Sequence, residues 1–334
     1  MHIEDFDYQL PVEAIAQQPA VPRDSCRLFV FDGGFHYHRF TDITDYLNEG
    51  DVLVLNNTRV RHARIYARKD TGGKVELLVL GHEKNSYRCL VKGRVHKGTV
   101  IELPGGETAS VISKDGGICQ LNIPLDMEEL EVMGEMPLPP YITAKLDLAT
   151  KERYQSVYAD EKGSVAAPTA GLHFTSELLE RIGNMGITIA TITLHVGIGT
   201  FMPVRSKHVE EHNMQSEYFS IGRPAAEAIN QASGDVIAVG TTTIRALESA
   251  ASDGSVTPGE QWTDLYIYPG YRWQSPVRGL LTNFHLPQST PLLMVCAYAG
   301  RERIIQAYQK ALQHDYRFLS FGDAMFIQGA PCSR

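Results

Sequence analysis

Residues Gly163 to Thr175 read GSVAAPTAGLHFT, and the rest of the chain is organised around this stretch. Nearly all of its residues are small, which lets another backbone or a flat ligand approach closely. Thr175 and Ser176 precede the sequence ELLER, so we expect the stretch to end by capping a helix. Taken alone, the stretch fits a structural loop better than a ligand-binding segment.

The composition is that of a soluble globular protein. The chain has 334 residues, of which 43% are hydrophobic and 21% charged, and its formal net charge is −8. The charge argues against a bulk nucleic-acid binder but allows a local basic face. No apolar run approaches the roughly 18 residues of a membrane span. Five scattered cysteines indicate a reducing compartment. We therefore expect a cytoplasmic protein without membrane contact.

The pattern of predicted strands changes twice along the chain. Residues from about 60 to 124 form short strands separated by glycine-rich turns, which is typical of a small barrel. The later part alternates strands with helices, as in Val236–Val239 followed by a helix from Thr241. We predict an α/β main domain, residues 1–59 plus 151–334, with a smaller inserted all-β, barrel-like domain, residues 60–150.

Polar side chains gather where predicted strands end. His173, His195 and His285 each lie in the small-residue stretch or near the end of an apolar strand. Ligands of α/β folds bind at the carboxyl ends of strands, and histidine suits proton abstraction near neutral pH. A single such histidine more often serves packing, but three of them predict a shared pocket. Asp323 and Glu248 are candidate partners.

Two further segments suggest anion binding. The strand Val236–Val239 leads into Gly240 and three threonines at a helix start, where backbone N–H groups and the helix dipole favour an anion. Arg59, Arg61 and Arg64 follow Asn56–Asn57 with the alternation of one strand face. Either segment also fits a role in structure alone.

The sequence from His208 to His212 contains His-x-x-Glu-His, which on a helix would place two histidines one turn apart, as in one class of zinc peptidases. The flanking residues leave room for only a short helix. A phosphate-binding loop and a Gly-x-Ser-x-Gly elbow are both missing from the sequence.

Several motifs together resemble one family, the S-adenosylmethionine:tRNA ribosyltransferase-isomerases of queuosine synthesis. The two most specific runs are AAPTAGLHF, from Ala166 to Phe174, and TNFHLP, from Thr282 to Pro287. Others are NTRV at 57–60, MPLPPYI at 136–142, LHVG at 194–197, VGTT at 239–242 and GDAM at 322–325. They follow the family's order from one end of the chain to the other.

The resemblance implies an enzyme that uses S-adenosylmethionine as a ribosyl donor. The acceptor in such enzymes is an aminomethyl-7-deazaguanine at the wobble position of a tRNA with a GUN-type anticodon. The product is epoxyqueuosine, with adenine and methionine released. A sulfonium acidifies the adjacent C5′ hydrogens, so a positioned base can start the reaction. S-adenosylmethionine is a consumed co-substrate, and we expect no metal, no other cofactor and a monomeric enzyme.

Roles for individual residues follow from the resemblance and from the strand-end positions. His173 or His195 is predicted to abstract the proton. Asp323 or Glu248 is predicted to orient an imidazole or to bind the acceptor amine. The predicted substrate-binding residues are Thr169, Gly171, Gly197, Gly199, Thr200, Thr241, Thr242, Arg245, Asn283 and His285. Arg59, Arg61 and Arg64 are predicted to contact the tRNA backbone, which would make binding salt-dependent.

One position departs from the family pattern. Many members read Met-His-Ser-Glu where this chain has Met214-Gln215-Ser216-Glu217, which puts in doubt any role for a histidine there. Two alternatives to the ribosyltransferase are a zinc-dependent hydrolase that uses His208, Glu211 and His212, and a tRNA-binding module without catalysis.

Overall fold

The computed structural model describes residues 1–83, 85–201 and 204–332, and these form two compact units. The first unit contains residues 1–59, 139–161 and those from 167 onward; the second contains residues 60–138 and 162–166. Residues 139–150, which the sequence placed in the inserted domain, thus lie in the first unit. The first unit holds a large mixed sheet with helices and the second a closed barrel, so the predicted fold class is confirmed.

The bounds of the regular elements are as follows. The strands are β1 (Arg27–Phe31), β2 (Phe35–Arg39), β3 (Val52–Asn56), β4 (Thr58–Val60), β5 (Arg64–Lys69), β6 (Lys74–Glu83), β7 (Ser86–Lys92), β8 (Val100–Glu102), β9 (Thr108–Asp115), β10 (Ile118–Asn122), β11 (Glu161–Ser164), β12 (Thr188–Leu194), β13 (Glu217–Ile221), β14 (Val236–Val239), β15 (Ala251–Ser252), β16 (Ser255–Val256), β17 (Gly259–Thr263), β18 (Val277–Asn283) and β19 (Ala324–Gln328). The α-helices are α1 (Met127–Met133), α2 (Leu148–Glu152), α3 (Ser176–Asn184), α4 (Arg223–Asn230), α5 (Thr241–Ala250), α6 (Thr290–Ala299) and α7 (Arg301–Gln313).

The sheet of the first unit has, among the described residues, nine strands in the order β17-β13-β12-β3-β14-β18-β19-β1-β2. Its centre, β12-β3-β14-β18, is parallel. The sequences VLVL in β3 and VIAV in β14 are continuous apolar runs because helices and loops cover both faces of such a sheet. β19 is antiparallel to β18 and parallel to β1, so the strand direction reverses beside β18.

The barrel of the second unit closes in the order β10-β7-β6-β5-β8-β9, with antiparallel neighbours. Its strands alternate buried and more exposed residues; Ile65 and Ala67 in β5, for example, are buried. Because every second side chain points inward, the buried side chains fill the small barrel. The short strands agree with those predicted from the sequence.

The small-residue stretch folds as the sequence predicts at its carboxyl end. Thr169–His173 forms a 3-10 helix, and α3 begins directly after Thr175. The Thr175 hydroxyl accepts a hydrogen bond from the Leu178 backbone N–H at 3.1 Å, so the predicted cap is confirmed. Phe174 and Leu178 are buried in the core against β3, β14 and β18.

Several local predictions were wrong in detail. The segments near residues 12 and 43 form short 3-10 helices, Val12–Ala14 and Phe40–Tyr46. Arg59 lies in β4 and Arg64 begins β5, so the three arginines do not share one strand face. The strands β13 and β17 were missed because their sequences lack a long apolar run; β19 was missed although Ala324–Ile327 is a continuous apolar run. Within the described residues, no helix has the length and apolar character needed to cross a membrane.

Asn56, at the end of β3, joins three elements and is completely buried. Its Oδ1 accepts hydrogen bonds from the backbone N–H groups of Thr58 (3.1 Å) and Leu194 (3.0 Å). Its Nδ2 donates to the Leu194 carbonyl (3.0 Å) and to Thr242 Oγ1 (3.3 Å). One amide therefore fixes the ends of β3 and β12 relative to the start of α5.

We expect Asn56→Ala to lower the free energy of unfolding by about 3 kcal/mol, because it leaves buried backbone groups without partners. Denaturant titration followed by circular dichroism measures this. Asn184→Ala is the control, because Asn184 is exposed at the end of α3 and its loss should stay within about 0.5 kcal/mol. Equal stability of the two variants would contradict the role given to Asn56.

Candidate functional site

A cavity lies at the edge of the sheet where β14 and β18 end. Because β12, β3, β14 and β18 are parallel, their carboxyl ends meet at one edge, the usual ligand position in such sheets. The cavity encloses about 640 Å³ including its opening. Its walls come from residues 167–170, 240–242, 282–286 and 319–320, together with Tyr141, Val196, Ser289 and Pro291.

The small-residue stretch forms one wall, and Thr169 and Ala170 face the cavity. Gly171 lies behind this wall: a Cβ atom there would stand 2.0 Å from the Tyr158 hydroxyl and 2.9 Å from the carbon that carries it. Gly171 is therefore required for packing against Tyr158. The structure therefore gives Gly171 a packing role. Thr169, which faces the cavity, remains a candidate for substrate contact.

Thr241 and Thr242 begin α5 and line the cavity. Gly240 connects β14 to the helix with a φ of 95°, a left-handed conformation that favours glycine. Its backbone N–H donates to the Leu281 carbonyl at 2.7 Å, which ties the turn to β18. The first N–H groups of α5 therefore stand at the cavity, as an anion or a polar ligand group requires.

Asn283 ends β18 and lines the cavity, although only 2% of its surface is exposed. Its Nδ2 donates to the Leu319 carbonyl and to His173 Nε2, both at 3.1 Å. The carbonyl can only accept, so it fixes which end of the amide is nitrogen. Asn283 Oδ1 is buried with no hydrogen-bond partner in the described residues. Such an atom is costly unless a ligand donor completes it.

Leu319, on the opposite side, has a φ of 70°, which is unusual for a bulky residue. Its carbonyl accepts from Asn283, and its N–H donates to the Phe284 carbonyl at 3.1 Å. Two hydrogen bonds to β18 and the residue after it thus hold this backbone at the cavity wall.

His173 is buried behind Asn283 and does not line the cavity. Since Nε2 accepts from Asn283, Nδ1 carries the proton of the neutral ring and faces the Cys26 sulfur at 3.2 Å. Burial lowers the pKa of His173 to about 4. Both ring nitrogens are occupied, so the geometry makes His173 a positioning residue for Asn283 and does not support it as the base.

Among the described residues Asp323 forms no hydrogen bond with an imidazole, although its negative charge raises the pKa of His173 against the larger effect of burial. Its carboxylate accepts hydrogen bonds from the backbone N–H groups of Arg27 (2.9 Å) and Arg317 (2.7 Å), and it forms ion pairs with both side chains. It is 1% exposed. Asp323 therefore joins the start of β1 to the turn before β19, and its predicted catalytic role stays a prediction.

Glu248, in α5, is likewise occupied. It accepts hydrogen bonds from the backbone N–H groups of Gln274 (2.8 Å) and Ser275 (3.0 Å) and from the Ser275 hydroxyl. It does not line the cavity. Glu248 thus fixes the segment before β18, and its predicted role at the site stays a prediction.

Arg245 lines a smaller cavity that shares Thr241 and Thr242 with the large one, but its guanidinium is bonded within the protein. It pairs with Glu217, and both side chains are nearly completely buried. Its Nε donates to the Leu265 carbonyl at 2.9 Å, and NH2 donates to the carbonyls of Gln215 and Thr263, both at 2.8 Å. The predicted anion-binding role is not supported, because these contacts use the guanidinium for structure.

The turn after β12 lies next to this pair. The Gly197 N–H donates to Glu217 Oε1 at 2.7 Å, and a Cβ atom at Gly199 would stand 3.5 Å from the Gln215 amide oxygen. Gln215, where many family members have histidine, therefore packs beside this turn. Thr200 belongs to the 3-10 helix Ile198–Phe201, and its side chain lies outside the described part.

His195 and His285 differ in their access to the cavity. His195 Nδ1 bonds the Thr58 hydroxyl at 2.8 Å, and its ring stacks on Tyr218 with centroids 5.5 Å apart. It does not line the cavity. His285 does, with Nε2 at 2.9 Å from Thr282 Oγ1. Burial lowers the pKa of His285 to about 3, so its ring is neutral.

The three arginines predicted to contact tRNA have different surroundings. Arg59 is exposed and donates weakly to the Ala159 carbonyl at 3.4 Å. In the barrel unit, Arg61 pairs with Glu131 at 3.6 Å and Arg64 with Glu76 at 3.2 Å. Arg59 therefore keeps the exposure that an RNA contact needs, and Arg64 is committed mainly to the barrel.

The proposed zinc motif does not form an α-helical turn. Val209–Glu211 is a 3-10 helix, and the flanking histidines have different neighbours: His208 packs on His2 and His212 on Tyr266. Among the described residues, no group of three or more histidine, cysteine, aspartate or glutamate side chains is placed to hold a metal ion.

The fold and the cavity define an α/β protein with a cavity at the carboxyl edge of its sheet and a β-barrel domain. The chain belongs to the family of queuosine biosynthesis proteins, whose model matches residues 3–327. The resemblance found in the sequence is thus confirmed.

Individual relatives agree with this membership. The chain is 47% identical over 343 aligned positions to the S-adenosylmethionine:tRNA ribosyltransferase-isomerase of Desulforamulus reducens, covering 98% of this chain and 100% of that protein. It is also similar to the crystal structure of S-adenosylmethionine tRNA ribosyltransferase from Thermotoga maritima. That similarity has 34% identity and a TM-score of 0.56, and it covers 97% of this chain and 99% of the other.

The sequence reasoning missed Asn56, Glu217 and Tyr141, which respectively organise the sheet edge, pair with Arg245 and line the cavity. Tyr141 lies within a quoted family motif and Asn56 directly precedes one, which was the available signal. Glu217 ends the segment compared with the family's Met-His-Ser-Glu, but its pairing with Arg245 is set by tertiary contact between distant parts of the sequence.

We expect His173→Gln to flatten the dependence of stability on pH. Because the folded-state pKa of His173, about 4, lies below the ordinary value of 6.5, the unfolded chain binds the proton first. The neutral ring therefore contributes stability above pH 6.5 that is lost as pH falls towards 4, by about 3 kcal/mol. Denaturant titration at several pH values measures the difference from the parent. Replacing the exposed His314 by Gln should leave the slope of unfolding free energy against pH as in the parent. If His173→Gln also kept the parental slope, the prediction would be refuted.

We expect Arg245→Met to cost about 3–5 kcal/mol of stability, because Glu217 would remain buried without its cation. Adding Glu217→Gln should recover part of this loss. A double-mutant cycle by chemical denaturation measures the coupling. Strictly additive losses would show that the two side chains contribute independently.

Proposed function

We propose that this protein transfers and isomerises the ribosyl moiety of S-adenosylmethionine onto the aminomethyl-7-deazaguanine at the wobble position of tRNA. The product is epoxyqueuosine, and adenine and methionine are released. The acceptor is a tRNA with a GUN-type anticodon, S-adenosylmethionine is consumed as a co-substrate without a further cofactor, and the enzyme acts as a cytoplasmic monomer.

One observation carries the proposal. Three of the segments that resemble the ribosyltransferase-isomerases, at residues 167–170, 240–242 and 282–286, line the same cavity. The relatives whose names state this activity match the chain over nearly its whole length, and family membership is therefore supported by the site as well as by the alignment.

The chemistry of the walls suits a nucleoside with polar groups at its ends. Val196, Phe284 and Leu286 offer apolar contact to a flat base. The unpaired Oδ1 of Asn283 requires an N–H donor, such as the exocyclic amine of adenine. The N-terminus of α5 at Thr241 and Thr242 suits the carboxylate of the methionine part.

His285 takes the role of proton acceptor in this proposal, in place of His173 or His195. A general base must first be within reach of the proton, and of these three histidines His285 alone lines the cavity. In the required tautomer, Nε2–H donates to Thr282 and the Nδ1 lone pair is available.

The step balances with the neutral imidazole of His285 as the base. The C5′–H bond breaks, its electron pair stays on carbon beside the sulfonium, and an N–H bond forms on the imidazole. The positive charge passes from the sulfonium region to the ring, so the net charge of the cavity does not change.

The first test incubates the protein with S-adenosylmethionine and a tRNA that carries the aminomethyl base, follows adenine release, and determines nucleoside masses after digestion. We expect both adenine and the epoxy-cyclopentane nucleoside. RNA binding without either product would instead indicate a binding module.

We expect His285→Gln to lower kcat by about 10²–10⁴-fold, since the amide keeps the bond to Thr282 but cannot accept the proton. The same adenine assay measures this, with the exposed His314→Gln as the control that retains parental kcat. If His195→Gln or His173→Gln abolished turnover while His285→Gln did not, the base would be one of the first-predicted histidines.

A further inference from the structure

A second, small cavity of the first unit is lined by two arginines, Arg23 and Arg153, for which the sequence indicated no role. It measures about 260 Å³ including its opening, and Ser320 and Gly322 complete its rim. Arg23 lies in the 3-10 helix Arg23–Ser25, and Arg153 directly follows α2. Two segments far apart in the sequence thus bring two guanidinium groups to one place.

The contacts of both arginines are with neutral carbonyl groups. Arg23 NH1 donates to the carbonyls of Gln155 (2.7 Å), Arg153 (3.3 Å) and Leu172 (3.3 Å). Arg153 NH2 donates to the Ala20 carbonyl at 2.5 Å. Within the described part of the chain, the other guanidinium nitrogens of the two residues make no hydrogen bond, and neither residue has a carboxylate within 4.0 Å.

The positive charges of Arg23 and Arg153 are therefore not balanced by a nearby carboxylate. Burial lowers the pKa of Arg23, and the positive charge of Arg153 lowers it further. His173 borders the cavity as a neutral ring, and the Ser320 hydroxyl is bonded to Tyr141 at 2.7 Å. Like charges held together without a counter-charge cost free energy that a bound anion would offset. Two guanidinium groups also suit the several oxygens of a phosphate, which they bind with directed pairs of hydrogen bonds.

An anion bound by Arg23 and Arg153 would not be part of a ligand in the large cavity. Ser320 lines both cavities, and the bonded pair of His173 and Asn283 lies between them. This wall would stop the carboxylate of a small ligand in the large cavity from reaching the arginines. The remaining anion among the proposed substrates is the RNA backbone.

We propose that Arg23 and Arg153 bind one backbone phosphate of the RNA substrate. The inference rests on the proposed function, because the RNA is taken to be tRNA. RNA binding is measured separately from turnover. The two proposals can therefore fail separately.

The experiment measures the Kd of tRNA carrying the aminomethyl base by fluorescence anisotropy at several salt concentrations. Arg153→Gln is the main variant, because Arg153 has a single intramolecular hydrogen bond. We expect about tenfold weaker binding at low salt and a salt slope smaller by about 0.7–0.9, as for one lost phosphate contact. Arg303→Gln, at an exposed position of α7, is the control for a general loss of positive charge and should change neither quantity as much.

Two further measurements separate the alternatives. Calorimetric titration with S-adenosylmethionine should give the parental Kd for Arg153→Gln, and thermal unfolding should show a folded variant. Arg23→Lys keeps the charge but loses the planar fork, and we expect RNA binding between that of the parent and that of Arg153→Gln. Weakened S-adenosylmethionine binding with unchanged RNA binding would overturn the proposal in favour of a carboxylate site. RNA binding and salt slope equal to those of Arg303→Gln would show that the arginines serve structure only.

Discussion

The hydrogen bonds of the Asn283 amide are the interaction on which the site depends. This residue ends β18, the strand beside which the sheet changes from parallel to antiparallel. Its Nδ2 holds His173 of the small-residue stretch and the carbonyl of Leu319, so one amide joins two walls of the cavity. The same two bonds leave its Oδ1 for a ligand. Structure and recognition thus share one side chain.

Buried polar groups explain why so few of the conspicuous side chains face the cavity. Asp323 and Glu248 each satisfy backbone N–H groups, and Arg245 is enclosed by Glu217 and carbonyls. A buried charge is tolerated only when its partners are nearly complete, which leaves it little capacity for a substrate. The cavity itself is formed mainly by hydroxyls, an amide, an imidazole and apolar surface.

The sequence predicts the sheet and the position of the site better than the roles of residues. The apolar runs of β3 and β14 and the cap at Thr175 are local signals, and the parallel topology brings strand ends such as Asn283 together. A carboxylate at such an end has the same sequence pattern whether it binds substrate or a backbone N–H, which is why Asp323 was assigned to chemistry. The neighbours of His173, namely Cys26 and Asn283, are set by tertiary contacts that no local pattern contains.

The place of β19 in the sheet has a consequence for biosynthesis. β19 lies between β18 and β1, and about three hundred residues separate it from β1 along the chain. On a ribosome, β1 and β2 must therefore wait, with an unpaired edge, until β19 has been translated. Such long-range closure slows folding and exposes strand edges to other chains. A nascent chain that stopped just before β19 would keep the residues of the cavity wall yet leave its first hairpin without a place in the sheet.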